Sequence, residues 1–328
     1  MEKMRIGDVA VTKLALGAWA IGGGLWWGDN DDKESEATIR EAVDCGIELI
    51  DTAPAYGFGH SEEVVGRALS GIRDRVKIST KCGIVWGDTE GSFYFTLGDK
   101  TVRRNLSAAS IMREAENSLR RLNTDHIDLY ITHWQSVPPF ITPVEETMSA
   151  LLKLKEQGKI LGIGISNATP DILNEYLACG KVDLVQEKFS ILDRAAYLSF
   201  EDICKDKDVV FQAYSPMELG LLTGKISDDY VPDKDSARAG KDLFEPENIK
   251  LVNAMLAKWR PLVQKYDASY AQLAIVWAAA QNYFVNVLCG ARTKAQLADN
   301  IRAGQLKLEK EDLEFLTKTA DEVLQKKV

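Results

Sequence analysis

Short apolar runs alternate with longer amphipathic segments along most of the chain. Each run is nearly continuous in apolar residues, which is typical of a parallel strand covered on both faces. Eight such runs, separated by segments long enough for helices, cover residues 13–17, 47–51, 76–81, 127–133, 160–166, 182–186, 209–214 and 285–289. This alternation predicts either a (β/α)8 barrel or a doubly wound parallel sheet.

Residues that typically begin and end helices lie between these runs. Thr142 and Thr169 are each followed by proline, which predicts an N-cap and a proline in the first helical turn. Gly158 and Gly180 stand shortly before the next runs, where a glycine commonly ends a helix. These positions support the alternation of strands and helices.

Glycine motifs decide between the two architectures. No G-x-G-x-x-G follows the first run, where a doubly wound dinucleotide-binding fold carries it. Residues 220–225 resemble a phosphate-binding P-loop only in outline, because Ile226 stands where Ser or Thr is required. The sequence therefore predicts a (β/α)8 TIM barrel. Since no linker divides the chain, we expect a single domain over residues 1–328.

Composition and charge narrow the class of protein. Of 328 residues, 45% are hydrophobic and 27% are charged, which excludes a disordered chain. The net charge of −9 argues against nucleic acid and anionic membranes as partners. No apolar run is long enough to span a bilayer, and no apolar stretch typical of a signal peptide follows Met1. We therefore expect a cytoplasmic protein.

Cysteine and histidine positions give no sign of a metal site. The five cysteines are scattered and lack C-x-x-C spacing, and His60, His126 and His133 are too far apart to form a ligand motif. We expect free thiols and no bound metal.

Polar residues end six of the eight predicted strands. If the barrel is right, they converge on the mouth at the C-terminal ends of the strands, where barrel active sites lie. Two long connections, at 82–106 and 215–246, follow strands at the same end and are expected to be binding loops. The strand-end residues are Asp51, Lys81, His133, Ser166 with Asn167, Gln186 and Tyr214, and Tyr56 follows Asp51 closely.

Four of these residues suggest proton transfer by a phenol. A free tyrosine has a pKa of about 10, and a nearby cation such as Lys81 would lower the pKa of Tyr56. Asp51 could hold Lys81 in place, and His133 could polarise a carbonyl oxygen. Taken singly, each residue has an ordinary structural interpretation, such as a capping carboxylate or a hydrogen-bonded core histidine.

The combination of motifs resembles the aldo-keto reductase family over nearly the whole chain. The segment HWQSVPPF at 133–140 is particularly similar to that of bacterial members described as methylglyoxal reductases. The matching segments are LGAW (16–19), LIDTAPAYG (49–57), SE (61–62), STK (79–81), SLRRL (118–122), DHIDLY (125–130), GISN (164–167), YSP (214–216), LLTGK (221–225) and GAR (290–292), with Gln186.

This resemblance implies a fold and an activity. The fold would be the (β/α)8 barrel with an N-terminal hairpin closing its bottom, and the activity NAD(P)H-dependent reduction of small aldehydes or ketones to alcohols. Tyr56 would be the general acid, Lys81 paired with Asp51 would lower its pKa, and His133 would orient the substrate oxygen.

The resemblance also implies a set of cofactor-binding residues. Ser166, Asn167 and Gln186 would hold the nicotinamide carboxamide, and Tyr214 would stack on the ring. Residues 215–225 would cover the pyrophosphate. The remaining cofactor-binding candidates are Ala18, Trp19, Asp51, Ser215, Pro216, Met217, Leu219, Leu221, Lys225, Gly290, Ala291, Arg292, Gln296 and Asn300.

Arg292 bears on the choice of cofactor. It precedes Thr293, which opens a helix whose N-terminus favours an anion, and it could pair with a 2′-phosphate. NADP(H) is therefore favoured. The chain lacks the Lys-Ser pair that some members carry where Gly290 and Ala291 stand here, so NAD(H) stays an alternative.

Aromatic residues are expected to line the substrate pocket. Trp19, Trp86 and Trp134 would surround the carbonyl together with Tyr56 and His133. The aromatic run at 93–95 either joins this wall or packs against the rim of the barrel. Arg103 and Arg104 are expected to face solvent.

Two further functions stay open at this point. One is a sugar or polyol dehydrogenase that works in the oxidative direction. The other is a cofactor-binding regulatory subunit resembling potassium-channel β subunits, although the complete set of four candidate catalytic residues argues against a purely structural role. The sequence does not determine the oligomeric state.

Overall fold

All eight predicted apolar runs form parallel strands of one closed barrel in the structure, a computed structural model that describes residues 1–87 and 89–327. The strands are β1 (Lys3–Ile6), β2 (Val9–Thr12), β3 (Leu14–Gly17), β4 (Leu49–Asp51), β5 (Lys77–Cys82), β6 (Ile84–Trp86), β7 (Ser92–Leu97), β8 (Lys100–Arg104), β9 (Ile127–Thr132), β10 (Ile160–Ser166), β11 (Leu184–Lys188), β12 (Val210–Tyr214) and β13 (Val285–Gly290).

Helices connect the barrel strands and pack around them. They are α1 (Gly24–Trp27), α2 (Asp32–Asp44), α3 (His60–Leu69), α4 (Ala108–Leu122), α5 (Val144–Glu156), α6 (Pro170–Cys179), α7 (Ala195–Lys207), α8 (Pro246–Lys258), α9 (Arg260–Tyr266), α10 (Tyr270–Ala279), α11 (Lys294–Ala303) and α12 (Lys310–Leu324). Short 3₁₀ helices lie at Ala20–Gly22, Arg73–Arg75, Glu218–Thr223 and Asp242–Phe244.

The barrel closes in chain order. β3, β4, β5, β9, β10, β11, β12 and β13 pair in this sequence, and β13 pairs with β3. The prediction of a (β/α)8 barrel rather than a doubly wound sheet is confirmed. Its interior holds a separate apolar cluster that includes Leu49, Leu129, Leu184 and Leu288.

The N-terminal hairpin closes one end of the barrel, as the resemblance implies. β1 and β2 pair antiparallel, and Ile6, Val9 and Val11 join the interior cluster. The turn between them needs glycine, because Gly7 has φ +56° and a Cβ atom there would lie 2.2 Å from Asp183 Oδ1. Ligands must therefore enter from the opposite end of the barrel.

The predicted helix boundaries are partly right. Thr169 caps α6 by accepting from the Ile172 amide, and Gly180 is the C-cap of the same helix. Gly158 follows the end of α5 with φ +71°. The prediction for Thr142 is wrong, because α5 has Pro143 as its N-cap residue and the Thr142 hydroxyl is buried without a hydrogen bond.

The connection at 82–106 is a small sheet rather than an irregular loop. β6, β8 and β7 form an antiparallel sheet in that order, with a register shift between Phe93 and Phe95. The sheet stands at the C-terminal end of β5, so it forms part of the wall of the barrel mouth. The residues of β8 thereby take fixed positions near the site.

Candidate active site

Asp51, Lys81, Tyr56 and His133 meet at the mouth of the barrel. Lys81 Nζ donates to Asp51 Oδ1 at 2.6 Å, to the Thr52 carbonyl at 2.9 Å and to Tyr56 Oη at 3.1 Å. These three bonds use all the hydrogens of the ammonium group. Tyr56 therefore keeps its own hydroxyl hydrogen to donate elsewhere.

His133 faces the phenol from the end of β9, the strand that pairs with the strand of Lys81. The rings of Tyr56 and His133 are 5.7 Å apart between centroids and nearly perpendicular. The His133 backbone is held by two bonds, its amide to the Cys82 carbonyl at 2.8 Å and its carbonyl to Asn167 Nδ2 at 2.8 Å. An oxygen bound between the two rings could accept the Tyr56 hydrogen.

Burial controls the protonation of these groups. Burial raises the pKa of Tyr56 above its ordinary value of 10, and the charge of Lys81 offsets this only in part. Lys81 lowers the pKa of the phenol, as predicted, but the predicted net shift below the ordinary value is wrong, because desolvation of the phenolate outweighs the nearby cation. Burial, followed by the charge of Lys81, holds the pKa of His133 well below its usual range, so its ring is neutral.

Lys81 is charged although it is buried. Desolvation alone would lower its pKa, but Asp51 and Tyr56 together outweigh that effect, and the pKa of Lys81 lies above its ordinary value. The site thus presents a fixed cation next to a protonated phenol and a neutral imidazole.

Two facing glycines position the turn that carries Tyr56. A Cβ atom on Gly57 would lie 2.3 Å from the Gly22 carbonyl oxygen, and one on Gly22 would lie 2.6 Å from the Tyr56 carbonyl carbon. The turn after β4 and the 3₁₀ helix after β3 can therefore pack backbone to backbone only without side chains. Since Gly57 directly follows Tyr56, this close packing fixes the backbone position of Tyr56.

Polar side chains from β10, β11 and β12 continue the floor of the site. Ser166 Oγ donates to the Gln186 carbonyl at 2.7 Å, and Tyr214 Oη donates to Asn167 Oδ1 at 2.9 Å. Gln186 Nε2 lies 3.0 Å from Asp51 Oδ2. The amide of Gln186 is therefore linked directly to the Lys81–Asp51 pair.

A cavity of about 1480 Å³ extends from Tyr56 to the helix that follows β13. This volume exceeds the usual range for one drug-sized ligand, so it can hold a dinucleotide together with a small substrate. All the predicted cofactor-binding residues line it except Ala18 and Leu221, which are fully buried and lie outside its wall. The structure therefore gives no support for a ligand contact by the side chains of these two.

The far end of the cavity lies at the N-terminus of α11. Thr293 caps this helix by accepting from the Gln296 amide, while Gln296 Oε1 accepts from the Arg292 amide at 2.9 Å. Arg292 Nη1 donates to the Trp27 carbonyl at 3.0 Å, and Lys294 pairs with Glu41 at 2.6 Å. Both cations near the helix start are thus already engaged by the protein.

Aromatic rings form the rim of the cavity. Trp19, Trp134, Tyr94 and Phe95 line it, whereas Trp86 packs against Phe58 and lies outside its wall. The placement of Trp86 in the pocket is therefore wrong. Trp26 and Trp27 also line the cavity and were not expected from the sequence, although only Leu25 separates them from the glycine run that ends at Gly24.

Arg104 packs against two of these rings, which also contact each other. Its guanidinium is 4.2 Å from the centroid of Tyr94 and 4.6 Å from that of Trp134, and its Nε is buried without a hydrogen bond. Arg103 is also half-buried and donates to the Gly91 carbonyl. The expectation that both arginines face solvent is wrong, because the small sheet brings them against the barrel rim.

A buried carboxyl group lies behind β5, the strand that carries Lys81. Glu114 accepts from the Gly83 amide and from the Ser110 hydroxyl, each at 3.0 Å. Burial raises the pKa of Glu114 to about 8. Gly83 follows Lys81 by two residues, so Glu114 fixes the backbone just beyond this lysine. No sequence pattern indicates this role, since a glutamate on an amphipathic helix is expected to face water.

The described residues contain no group of three His, Cys, Asp or Glu side chains arranged to hold a metal ion, and the five cysteines are free. None of the helices in residues 1–87 and 89–327 is long and apolar enough to cross a membrane.

A family model and two related proteins match nearly the whole chain. The model of the Aldo/keto reductase family matches residues 13–321. The chain is 45% identical over 325 residues to an NADH-specific methylglyoxal reductase of Escherichia coli, which covers 98% of this chain and 99% of the relative. It is 37% identical to the aldo-keto reductase YhdN of Bacillus subtilis, covering 90% and 87% of the two chains.

A solved structure has the same architecture. The glycerol dehydrogenase AKR11B4 from Gluconobacter oxydans superposes with a TM-score of 0.87 at 33% identity, covering 99% of this chain and 96% of that one.

Proposed function

The chain belongs to the aldo/keto reductase family, and we propose that it reduces small 2-oxoaldehydes such as methylglyoxal with a preference for NADH. Reduction of carbonyl compounds with a nicotinamide cofactor is the activity of this family. The observation that carries the proposal is the Tyr56 hydroxyl, which accepts from Lys81 and is left to donate its own hydrogen into an aromatic-rimmed cavity.

The chain's residues fit a nicotinamide dinucleotide. Both amide hydrogens of Gln186 are used within the protein, so its Oε1 is the atom that can accept from a carboxamide in the cavity. Tyr214 offers a ring next to it, and the N-terminus of α11 favours a phosphate at the other end. When bound, the cofactor supplies the hydride.

The proposed chemistry assigns one role to each polar residue. Tyr56 donates a proton to the carbonyl oxygen as that oxygen gains negative charge, and His133 orients the oxygen by a hydrogen bond. Lys81 stabilises the phenolate that remains, and Asp51 fixes the ammonium. Because the pKa of Tyr56 is above its ordinary value, the phenol holds its proton at neutral pH and is ready for reduction.

A small uncharged substrate fits the rim best. Arg104 stacks on Tyr94 and Trp134, and Lys188 is paired with Asp193 and Glu218. These cations are already engaged, so they are poorly placed to select a carboxylate or phosphate on the substrate. The relative that reduces methylglyoxal supports the same substrate class.

Three features support NADH over the NADP(H) preference expected from the sequence. Arg292 donates to the Trp27 carbonyl and Lys294 pairs with Glu41, so each would have to share or give up a protein contact to bind a 2′-phosphate. Asp299 lines the same end of the cavity and would repel one. The 45% identical relative is NADH-specific. Titration of the protein with each cofactor tests this, and NADH is expected to bind at least about tenfold more tightly.

The function is tested by following cofactor absorbance with methylglyoxal, glyceraldehyde and glycerol as substrates. We expect reduction of methylglyoxal at neutral pH and little oxidation of glycerol, and the opposite ranking would favour the polyol dehydrogenase. Tyr56→Phe should lower kcat by about 10²- to 10⁴-fold, whereas the exposed Tyr283→Phe should leave it unchanged. Cofactor binding without turnover of any substrate would instead favour the regulatory subunit.

A further inference from the structure

Three buried amide side chains form a row across the barrel interior. Gln186, Gln212 and Asn286 are direct register neighbours on β11, β12 and β13, and each is at most 2% exposed. We call these three residues the amide row. Barrel interiors are usually filled by branched apolar residues, so a row of amides at this level requires a reason.

The amide row connects the active site to the hairpin that closes the barrel. Gln186 Nε2 donates to Asp51 Oδ2 at 3.0 Å and to Gln212 Oε1 at 2.6 Å. Gln212 Nε2 donates to Asn286 Oδ1 at 2.9 Å. Asn286 Nδ2 then donates to the backbone carbonyls of Thr12 and Lys13 at 3.0 and 3.1 Å.

Both ends of the row fix the direction of every amide. The carbonyls of Thr12 and Lys13 only accept, so the Asn286 atom facing them is its nitrogen. The Asn286 oxygen therefore faces Gln212 and takes a hydrogen from its nitrogen, which leaves the Gln212 oxygen facing Gln186. At the other end, the Asp51 carboxylate also only accepts, which requires the same orientation of Gln186.

Turning any one amide by 180° would bring like groups face to face. Two acceptors or two donors would then meet in a site without water to satisfy them, which is costly. The amide row therefore has only one stable orientation of its three amide groups. In that arrangement Gln186 uses both amide hydrogens inside the protein and offers only Oε1 to the cavity that it lines.

We propose that Gln212 and Asn286 are positioning residues that orient Gln186, so that its Oε1 receives the carboxamide of the nicotinamide and its Nε2 holds Asp51. The inference rests on the proposed function, because it takes the cavity to be the nicotinamide site. Neither residue lines the cavity, so both act through Gln186.

A matched pair of substitutions separates positioning from packing. Gln212→Met has nearly the same shape but removes the oxygen that accepts from Gln186. Gln212→Glu keeps an oxygen there, and its protonated carboxyl can donate to Asn286 Oδ1. A packing role predicts that the apolar methionine is tolerated better than glutamate, whereas the positioning role predicts the reverse order for cofactor affinity.

The measurement is the Kd of the full-length protein for NADH and for ADP-ribose, which lacks the nicotinamide. We expect Gln212→Met to weaken NADH binding at least tenfold with ADP-ribose binding changed less than twofold, and Gln212→Glu to bind both nearly as the wild type does. Equal losses for both ligands, or no loss of NADH affinity in Gln212→Met, would overturn the proposal.

A second variant covers the case in which Gln212→Met does not fold. Asn286→Leu leaves the bond between Gln186 and Gln212 in place but frees the amide of Gln212 to turn. It should cause a smaller loss that is again confined to NADH, and a loss shared by ADP-ribose would count against the proposal. If the wild type binds neither ligand, the proposed function fails instead, so the two failures are distinguishable.

Discussion

The Lys81 ammonium lies 2.6 Å from Asp51 Oδ1, with both side chains buried beneath the Tyr56 hydroxyl. A buried ion pair contributes little net stability, but removing one partner leaves an uncompensated charge. The pair thus holds a cation next to the phenol while adding little to the stability of the barrel.

We expect Asp51→Asn to lower both stability and activity. Loss of the carboxylate should cost about 3 kcal/mol of unfolding free energy and reduce kcat at least about tenfold, because Lys81 loses its fixed position beside Tyr56. Denaturant unfolding and steady-state kinetics check this. Asp44→Asn, which breaks the exposed pair with Arg75, is the control and should change stability by less than about 1 kcal/mol. Equal effects of the two substitutions would contradict the assignment.

The rates of carbonyl reduction and of alcohol oxidation should depend differently on pH. Burial raises the pKa of Tyr56 above 10, so the protonated phenol persists through the neutral range. The kcat for carbonyl reduction should stay flat from about pH 6 to 9 and fall only at higher pH, while oxidation of the alcohol product, which needs the phenolate, should rise with pH. Rates measured in both directions across this range give the answer. A fall in the reduction rate with a midpoint near 7 would mean that another group donates the proton.

Glu114 should make the stability of the protein depend on pH. Burial raises its pKa from 4.5 to about 8. The unfolded chain loses this proton near pH 4.5, whereas the folded protein loses it only near pH 8. The contribution of the protonated carboxyl to the free energy of unfolding is therefore fully present below pH 4.5 and is lost as the pH rises to 8. Because the neutral amide of Glu114→Gln can bond to both Gly83 and Ser110, this variant should be more stable than the wild type at pH 8 by about 1–3 kcal/mol.

The control for Glu114 is Glu175→Gln, which changes an exposed glutamate. Unfolding free energies at pH 5 and pH 8 should differ between wild type and Glu114→Gln far more than between wild type and Glu175→Gln. If the Glu114→Gln curve runs parallel to that of the wild type, the carboxyl is ionised in the folded protein.

Arg292→Ala should affect both cofactors alike. The guanidinium donates to the Trp27 carbonyl, so its loss loosens the wall of the cavity rather than removing a phosphate contact. We expect the Kd values for NADH and NADPH to rise by similar factors, within about threefold of each other. Fluorescence titration of both cofactors measures this. A loss of more than about tenfold for NADPH alone would restore the 2′-phosphate role and the NADP(H) preference.

Arg104→Met should change substrate affinity more than the rate of the chemical step. The guanidinium stacks on Tyr94 and on Trp134, whose rings also contact each other, so its loss should loosen this part of the rim. The ring contacts of Tyr56 are with Trp19 and His133 instead. The KM for methylglyoxal should rise several-fold while kcat and the Kd of NADH change less than twofold. Arg103→Met, at the adjacent position on β8, serves as the comparison. If kcat falls as far as KM rises, the rim also positions the catalytic groups.

The sequence predicted the barrel because parallel strands covered on both faces leave a strong pattern. Asp51 and His133 could be placed at the mouth for the same reason, since each directly ends or follows an apolar run. The small sheet at 84–104 left a weaker signal, because its aromatic residues serve equally well in a loop. For this reason, the prediction that Arg104 faces solvent is wrong.

Contacts between distant loops could not be read from the sequence. Trp26 lines the cavity in part because its carbonyl accepts from the Ala237 amide, which joins the loops after β3 and β12. The pKa of Tyr56 also depends on the balance between desolvation and the charge of Lys81, which residue types alone do not reveal. A cation beside a phenol suggests a lowered pKa, and only the depth of burial reverses the sign.

The amide row also limits how this barrel can be redesigned. Gln186, Gln212 and Asn286 satisfy one another in a fixed direction, so their substitutions should be strongly non-additive. Mutant libraries that vary these positions one at a time would discard combinations that work only together. Engineering of a new cofactor pocket on this scaffold should therefore vary the three positions of the amide row together.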